Sequence, residues 1–498
     1  MSLKSIAAKV FAKYVTKKIQ IWASTPHQTQ EKVFQQLIKE AKLTAFGKDH
    51  DFQNITSYQD FTERVPIRDY EQLRTYVERV VAGEENVLWP GKPLYFAKTS
   101  GTTSGSKYIP LTKESMPTHI HAARNAILCY IAETGKASFV DGKMIFLQGS
   151  PEMTTKNGIG LGRLSGIVAH YVPGYLQKNR LPSWETNCME DWEKKVDAIV
   201  AETIDQDMRV ISGIPPWVQM YFERLKEKSG KPIGSLFKNF ELFIYGGVNY
   251  EPYRPIFRKL NGKSIPSIEL YPASEGFFAF QDSQKDSGML LQLDSGIFYE
   301  FVKSEVFFDE NPPRLLLKDV VIGENYVMLI STNAGLWAYN LGDTIQFTST
   351  SPYRVIVSGR IKHFISAFGE HVIGKEVEQA LQAAVQGENI LINEFTVAPQ
   401  IEVKEGQLPY HEWFIEFSQP VEDVCSLAKT IDDNLRKQNS YYDDLITGKI
   451  LEPLHITPIR VGGFTEYMKS IGKLGGQNKL PRLANDRKIA DQLQSFKI

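Results

Sequence analysis

The sequence predicts an α/β protein with a large first domain and a smaller α+β second one, on three observations. Short apolar or β-branched runs alternate with helix-spaced segments through the middle of the chain, as in a sheet flanked by helices. Beyond Gly288 helix signals thin out and strand-like runs succeed one another, which predicts antiparallel sheet or a small β-barrel. After Gly359 the pattern turns mixed again, so the domain boundary is expected there, between residues 1–358 and 359–498.

Taken in order, residues 1 to about 90 read as helical. Apolar residues recur at helix spacing through Val33, Leu37, Ala41 and Leu43, and again after the turn at Pro66 through Tyr70, Leu73, Tyr76, Val77 and Val80. Residues 93–98 are extended and run into a Gly/Ser/Thr loop, and 113–133 read as the helix that follows it. Strands at 144–147, 209–212, 242–245 and 268–271 alternate with helices at 192–204 and 217–228. The strand-like runs of the next region are 298–306, 314–321, 326–332, 346–348 and 355–357. The last region carries a helix at 376–385, a strand at 413–417 and a helix at 421–438.

Bulk properties narrow the function classes. The chain has 498 residues, 42% hydrophobic and 23% charged, an ordinary globular composition long enough for sizeable cores. A net charge of -1 points away from nucleic acid and from membrane surfaces, and no apolar run approaches the roughly 20 residues that cross a bilayer. Residues 1–18 read as an amphipathic helix, without the continuous apolar core of a secretory leader. Cys129, Cys188 and Cys425 lack pairing or metal-ligand spacing and suit a reducing, cytoplasmic compartment. Oligomeric state has no signal in the sequence.

The strongest local feature is Thr99-Ser100-Gly101-Thr102-Thr103-Ser104-Gly105-Ser106-Lys107, after an expected strand. Glycines let backbone approach an anion, hydroxyls and amides donate to phosphate oxygens, and the lysine adds charge. It is not a Walker A loop, because Ser106 separates Gly105 from Lys107 and Tyr108 follows the lysine. A flexible Ser/Gly surface loop is the competing reading. Downstream, Tyr271-Pro272-Ala273-Ser274-Glu275 ends another expected strand. There Tyr271 can stack on a base, Ser274 can meet a phosphate and Glu275 can ligate Mg²⁺, a cation that prefers carboxylate and phosphate oxygens. A strand-ending turn with an exposed glutamate is the alternative.

The stretch from Phe96 to Lys107, continued by Tyr108-Ile109-Pro110-Leu111-Thr112, resembles the first nucleotide motif of the GH3 acyl-acid amido synthetases. These form the plant-hormone-conjugating branch of the adenylate-forming superfamily, which also holds acyl-CoA synthetases and luciferases. Upstream, Val65-Pro66-Ile67, Tyr70-Glu71, and Arg79 with Gly83-Glu84 continue the likeness. Tyr271-Pro272-Ala273-Ser274-Glu275 resembles the family's Tyr-Ala-Ser-Ser-Glu motif, departing at Pro272 and Ala273; proline has no amide to offer. Gly335-Leu336-Trp337-Ala338-Tyr339-Asn340-Leu341-Gly342-Asp343 resembles Gly-Leu-Tyr-Arg-Tyr-Arg-Xaa-Gly-Asp, with Asn340 in place of a basic residue.

The resemblance implies a two-lobe adenylate-forming fold, with a small β-barrel in the large N-terminal lobe and a mobile C-terminal lobe hinged near 359–362. It implies ATP and Mg²⁺, a carboxylic-acid substrate and an amine acceptor, most naturally an amino acid. Gly246, in Tyr245-Gly246-Gly247-Val248, would border the adenine, and Asp343 would bind the ribose hydroxyls. In Val357-Ser358-Gly359-Arg360-Ile361-Lys362, Arg360 would lie near ribose or phosphates, and Gly369 to Val372 would follow on a swinging loop. Gly475-Gly476-Gln477-Asn478-Lys479-Leu480-Pro481-Arg482 resembles the family's terminal Gln-Xaa-Lys-Xaa-Pro-Arg segment, making Lys479 the lysine that bridges α-phosphate and attacking carboxylate.

The acyl acid is expected beside the helix after the phosphate loop, with Arg124 pairing a carboxylate and His119 or His121 orienting it or relaying a proton. Surface polarity explains those three equally well, and Trp217 suits core or pocket alike. Two other functions stay open: an acyl-CoA ligase with a thiol acceptor, and a non-catalytic nucleotide- or acyl-binding protein, the latter prompted by Pro272-Ala273.

Overall fold

The structure, a computed structural model, describes residues 2–498 except 101–105, 173–176, 190, 362–363, 366–371, 389, 402, 404–406, 449, 475–478 and 485. The chain forms two compact units, Met1–Val248 with Arg258–Val357, and Asn249–Phe257 with Ser358–Ile498.

The first unit opens with helices, as the periodicity predicts. Leu3–Ser24 and Pro26–Ala41 bury Ala12, Val15, Ile19, Phe34, Leu37 and Ile38. Tyr70–Val81 starts at a capping box, where Asp69 and Gln72 satisfy each other's backbone amides, and buries Leu73, Val77 and Val80. Strands β1 (Tyr95–Ser100) and β2 (Ser106–Leu111), on either side of residues 101–105 in sequence, form an antiparallel pair with Thr99 opposite Lys107. Helix Met116–Thr134 follows, begun by Pro117 and closed by Gly135 in the left-handed region.

Then come β3 (Lys143–Phe146), β4 (Thr154–Lys156), β5 (Ile159–Gly162), β6 (Arg180–Leu181), β7 (Met208–Ser212), β8 (Leu242–Gly246) and β9 (Ser267–Ala273). They are followed by β10 (Gly276–Phe280), β11 (Met289–Leu291), β12 (Ile297–Lys303), β13 (Asn325–Thr332), β14 (Tyr339–Thr350) and β15 (Tyr353–Arg360). β4 and β5 join β2 and β1 in one small sheet. Among the described residues the other strands form a single eleven-stranded sheet, ordered β12-β13-β14-β15-β11-β10-β9-β8-β7-β3-β6. The neighbours β6, β3, β7, β8 and β9 run parallel, with helices Trp192–Thr203 and Pro215–Ser229 between them in sequence. β10 turns back antiparallel on β9, and the strands beyond Gly288, expected as antiparallel sheet or a small barrel, pair antiparallel and continue the parallel sheet edge to edge.

One expected strand is replaced. In residues 314–321 only Leu315 bridges to Phe301, and Leu317–Asp319 is a 3₁₀ turn. The reason is local: the Arg314 guanidinium is drawn onto the fully buried Glu300, and Asp319 Oδ2 accepts from the Leu316 amide. The expected strand at 346–348 proves to be part of the longer β14.

The second unit has a two-stranded hairpin, β16 (Phe364–Ile365) with β17 (Val372–Ile373), and a three-stranded sheet. In that sheet β18 (Ile392–Gln400) is antiparallel and β20 (Glu452–Ile459) parallel to the central β19 (Tyr410–Phe417). Helices Gly374–Val385 and Val424–Gln438 pack on each other and bury Val377, Leu381, Leu427 and Ile431 against Trp413 and Ile415.

Candidate active site

Trp337 fixes the segment that leads to Asp343. Its indole is fully buried, edge-on to Phe52 with ring centroids 4.8 Å apart, and donates to the Leu88 carbonyl at 3.2 Å. Gly335 is required there: its φ is +88°, and a Cβ would come within 2.7 Å of Leu88 backbone. Ala338 takes a left-handed φ of 43°, and its carbonyl accepts from the Arg68 amide (3.2 Å). The Asn340 amide returns to the Arg68 carbonyl at 2.7 Å, so residues on either side of Tyr339 are stitched to the chain just before Tyr70. Asn340 also has a local task, its Oδ1 accepting from the Gly342 amide at 2.8 Å in the turn before Asp343.

Two cross-links join this segment to the end of β9. Tyr271 donates its hydroxyl to Asp343 Oδ2 at 2.8 Å. Both side chains are nearly enclosed, 6% and 7% exposed, and the Tyr271 ring stands edge-on to Phe278. The Tyr271 hydroxyl thus holds the Asp343 carboxylate, and its ring is largely enclosed. In the second cross-link the Tyr339 hydroxyl bonds Glu275. Burial, then the negative charges of Glu275 and Asp69, hold the Tyr339 hydroxyl well above its ordinary pKa, so it stays a proton donor. Ser274, between the two, is buried; Pro272 is exposed.

Tyr70 brings the phosphate-loop strand into the same group. It neighbours Tyr339, and its hydroxyl accepts from the Tyr108 amide at 2.9 Å. Lys107 Nζ lies over the Tyr70 ring, 5.3 Å from its centroid. Thr99 and Ser100 end β1, whereas Gly101, Thr102, Thr103 and Ser104 lie outside the described residues. Gly246 ends β8, where a Cβ would meet the Leu270 carbonyl oxygen at 2.5 Å, so glycine is needed for the β8–β9 approach whatever else it borders.

The acyl candidates are divided between two environments. His119 is 5% exposed, its Nδ1 has no hydrogen-bond partner in the structure, and burial pushes its imidazole down to about 4, so it is neutral at physiological pH. His121 and Arg124 lie on the exposed face of the same helix. Arg124 donates to Asn125 Oδ1 at 3.1 Å and lies over the Phe11 ring of the first helix. Trp217 packs in the core against Trp192 and Val196, which answers the core-or-pocket question for its side chain.

In the second unit, Arg360 is the exposed last residue of β15, and Lys479 is exposed two residues before Pro481. Lys362 and Gly369 to His371 lie outside the described residues, as does the Gly475 to Asn478 run before Lys479. Among the described residues no group of three or more His, Cys, Asp or Glu side chains could cage a metal. The sequence reading passed over Tyr70 and Tyr339 as site residues. Both lie inside family-like stretches, but a tyrosine at helix or strand spacing carries no signal that separates it from core.

Models of the GH3 family N-terminal, central and C-terminal domains match residues 15–175, 290–360 and 375–488, in that order and over more than two thirds of the chain. The chain belongs to the GH3 family. Among GH3 relatives, the jasmonoyl–L-amino acid synthetase GH3.5 of Oryza sativa subsp. japonica is 22% identical, the alignment covering 86% of this chain and 87% of that one. The indole-3-acetic acid–amido synthetase GH3.4 of Arabidopsis thaliana is 21% identical over 94% and 91%. The GH3 fold is also met in a solved structure, the AtGH3.15 acyl acid amido synthetase in complex with 2,4-DB, at TM-score 0.79 and 16% identity over 98% of this chain and 96% of that one. A 2-hydroxyisobutyryl-CoA ligase in the postadenylation state shares the fold at TM-score 0.60 and 11% identity over 94% and 92%.

Proposed function

We propose that this GH3 protein activates a carboxylic acid with ATP as an acyl-adenylate and transfers the acyl group to the amine of an amino acid, releasing pyrophosphate and AMP. One observation carries the reading: Lys107, Tyr271 with Glu275, and Tyr339 with Asp343, far apart in sequence, converge through Tyr70 and two hydrogen-bonded cross-links. Relatives named as amido synthetases that align along most of the chain support the amine as acceptor.

Adenylation brings a carboxylate to a polyanion, so the site must neutralise charge and align the attacking oxygen with the α-phosphorus. Lys107 supplies positive charge beside the loop, and Asp343, its rotamer held by Tyr271, accepts from the ribose hydroxyls. Glu275, oriented by Tyr339, would hold Mg²⁺, which would supply screening of the phosphates and electron withdrawal from the reacting phosphorus. Arg360 and Lys479 come from the second unit, Lys479 bridging α-phosphate and carboxylate in the first half-reaction. Movement of that unit about a hinge near 359–362 then admits the amine. His119, neutral and buried, is the acyl-side residue best suited to hydrogen-bond a substrate.

The test is a product assay offering coenzyme A and the twenty amino acids with a panel of aromatic and aliphatic acids. Amide and AMP are the expected products. A thioester with no amide would replace this reading by the acyl-CoA ligase one.

A further inference from the structure

Arg482 takes no part in the chemistry above, yet its guanidinium is held by four groups. Nη1 donates to Glu394 and to the Phe395 carbonyl (3.2 Å), and Nη2 donates to the Tyr253 hydroxyl at 2.8 Å. Nε lies 3.4 Å from Glu378 Oε1, and the guanidinium carbon is 4.6 Å from the centre of the Phe395 ring. Glu378 in turn accepts from Asn249 Nδ2 at 2.5 Å. Tyr253 and Asn249 belong to the short segment that the second unit takes from the middle of the chain. The backbone beside Arg482 is pinned as well. The Arg482 carbonyl accepts from the Val397 amide (3.0 Å), the Ala484 amide donates to the Val397 carbonyl (2.9 Å), and Thr396 Oγ1 donates to the Pro481 carbonyl (2.7 Å). Residues 481–484 therefore run as an extra strip along β18.

Lys479 is two residues upstream of this strip, so its Cα lies within roughly 7 Å of the Pro481 Cα. We propose that Arg482 is a positioning residue: by clamping the strip to Glu378, Glu394 and Tyr253 it sets where Lys479 can reach. The inference rests on the adenylation reading. An exposed lysine on an unanchored loop would lose much of its effect to conformational entropy, and a misplacement of about 1 Å can cost on the order of a hundredfold in rate.

The signature is a split between half-reactions. On the adenylation reading Lys479 bridges α-phosphate and carboxylate only until the second unit moves, so a positioning defect slows adenylation and spares aminolysis. In acid-dependent ATP–pyrophosphate exchange, Arg482→Met should lower turnover about a hundredfold, with the KM values for ATP and acid within about twofold of wild type. Amide formation from chemically prepared acyl-adenylate should proceed at the wild-type rate, and Lys479→Ala should show the same split. Arg482→Met strands two carboxylates, so Tyr253→Phe, which removes the hydroxyl's bonds to Arg482 and Glu394, and Thr396→Val, which removes the bond to the Pro481 carbonyl, serve as milder variants that leave Arg482 paired with both carboxylates. Each should lower exchange about three- to tenfold with aminolysis unchanged. Wild-type exchange in the milder variants and in folded Arg482→Met, beside a dead Lys479→Ala, would overturn the clamp and leave the adenylation reading standing. Equal loss in both half-reactions would also overturn it, as a purely structural role. Wild-type protein that exchanges with no acid would remove the adenylation reading, and the clamp with it.

Discussion

In the proposed chemistry Asp343 meets two ribose hydroxyls and needs a fixed rotamer, which the Tyr271 hydroxyl favours through its hydrogen bond to Oδ2. Tyr271→Phe keeps the ring against Phe278 and removes the bond to Asp343. A hydrogen bond to a charged group is worth about 1.5–3 kcal/mol, so KM for ATP should rise about tenfold or more, while the KM for the acyl acid stays near wild type. Steady-state kinetics with each substrate varied in turn checks this; an unchanged KM for ATP would detach Asp343 from the ribose. At this scale the sequence was half legible. The motif wording pointed to Tyr271 and Asp343, but an aromatic beside a nucleotide motif suggests a stacking face, and only the fold shows that this ring is largely enclosed and its hydroxyl bonded to Asp343.

Among the elements, those with a strong period or a clear stop were readable. The helix Tyr70–Val81 carries its cap and its apolar stripe in its own residues, and Met116–Thr134 has a proline at its start and Gly135 just past its end. The miss at 314–321 came from a partner distant in sequence. Arg314 belongs to Glu300, which is wholly buried and also accepts from the Tyr58 hydroxyl at 2.8 Å. Removing one partner of a buried pair leaves an uncompensated charge, so Arg314→Met should cost about 3–5 kcal/mol of stability. Chemical denaturation measures this, and a loss below about 1 kcal/mol would mean that the pair is not buried in solution.

For the whole molecule, the alternation of strands and helices was enough to predict an α/β sheet, and the change of pattern near Gly288 marked where antiparallel strands begin. That these strands extend the parallel sheet was not readable, because strand pairing depends on partners that no single run specifies. Nor was the transfer of Asn249–Phe257 to the second unit, which rests on contacts such as Tyr253 with Arg482 made across more than two hundred residues. No helix among the described residues is long and apolar enough to cross a membrane. The same long-range folding brings Lys107, Glu275 and Asp343 together, and that convergence is what the proposed chemistry requires. Acid-dependent ATP–pyrophosphate exchange tests it most directly. Label should pass from pyrophosphate into ATP only when a carboxylic acid is present, and Glu275→Gln should suppress the exchange in a protein that still folds. Full exchange in Glu275→Gln, or none in the wild type with any acid although AMP binds, would contradict the account.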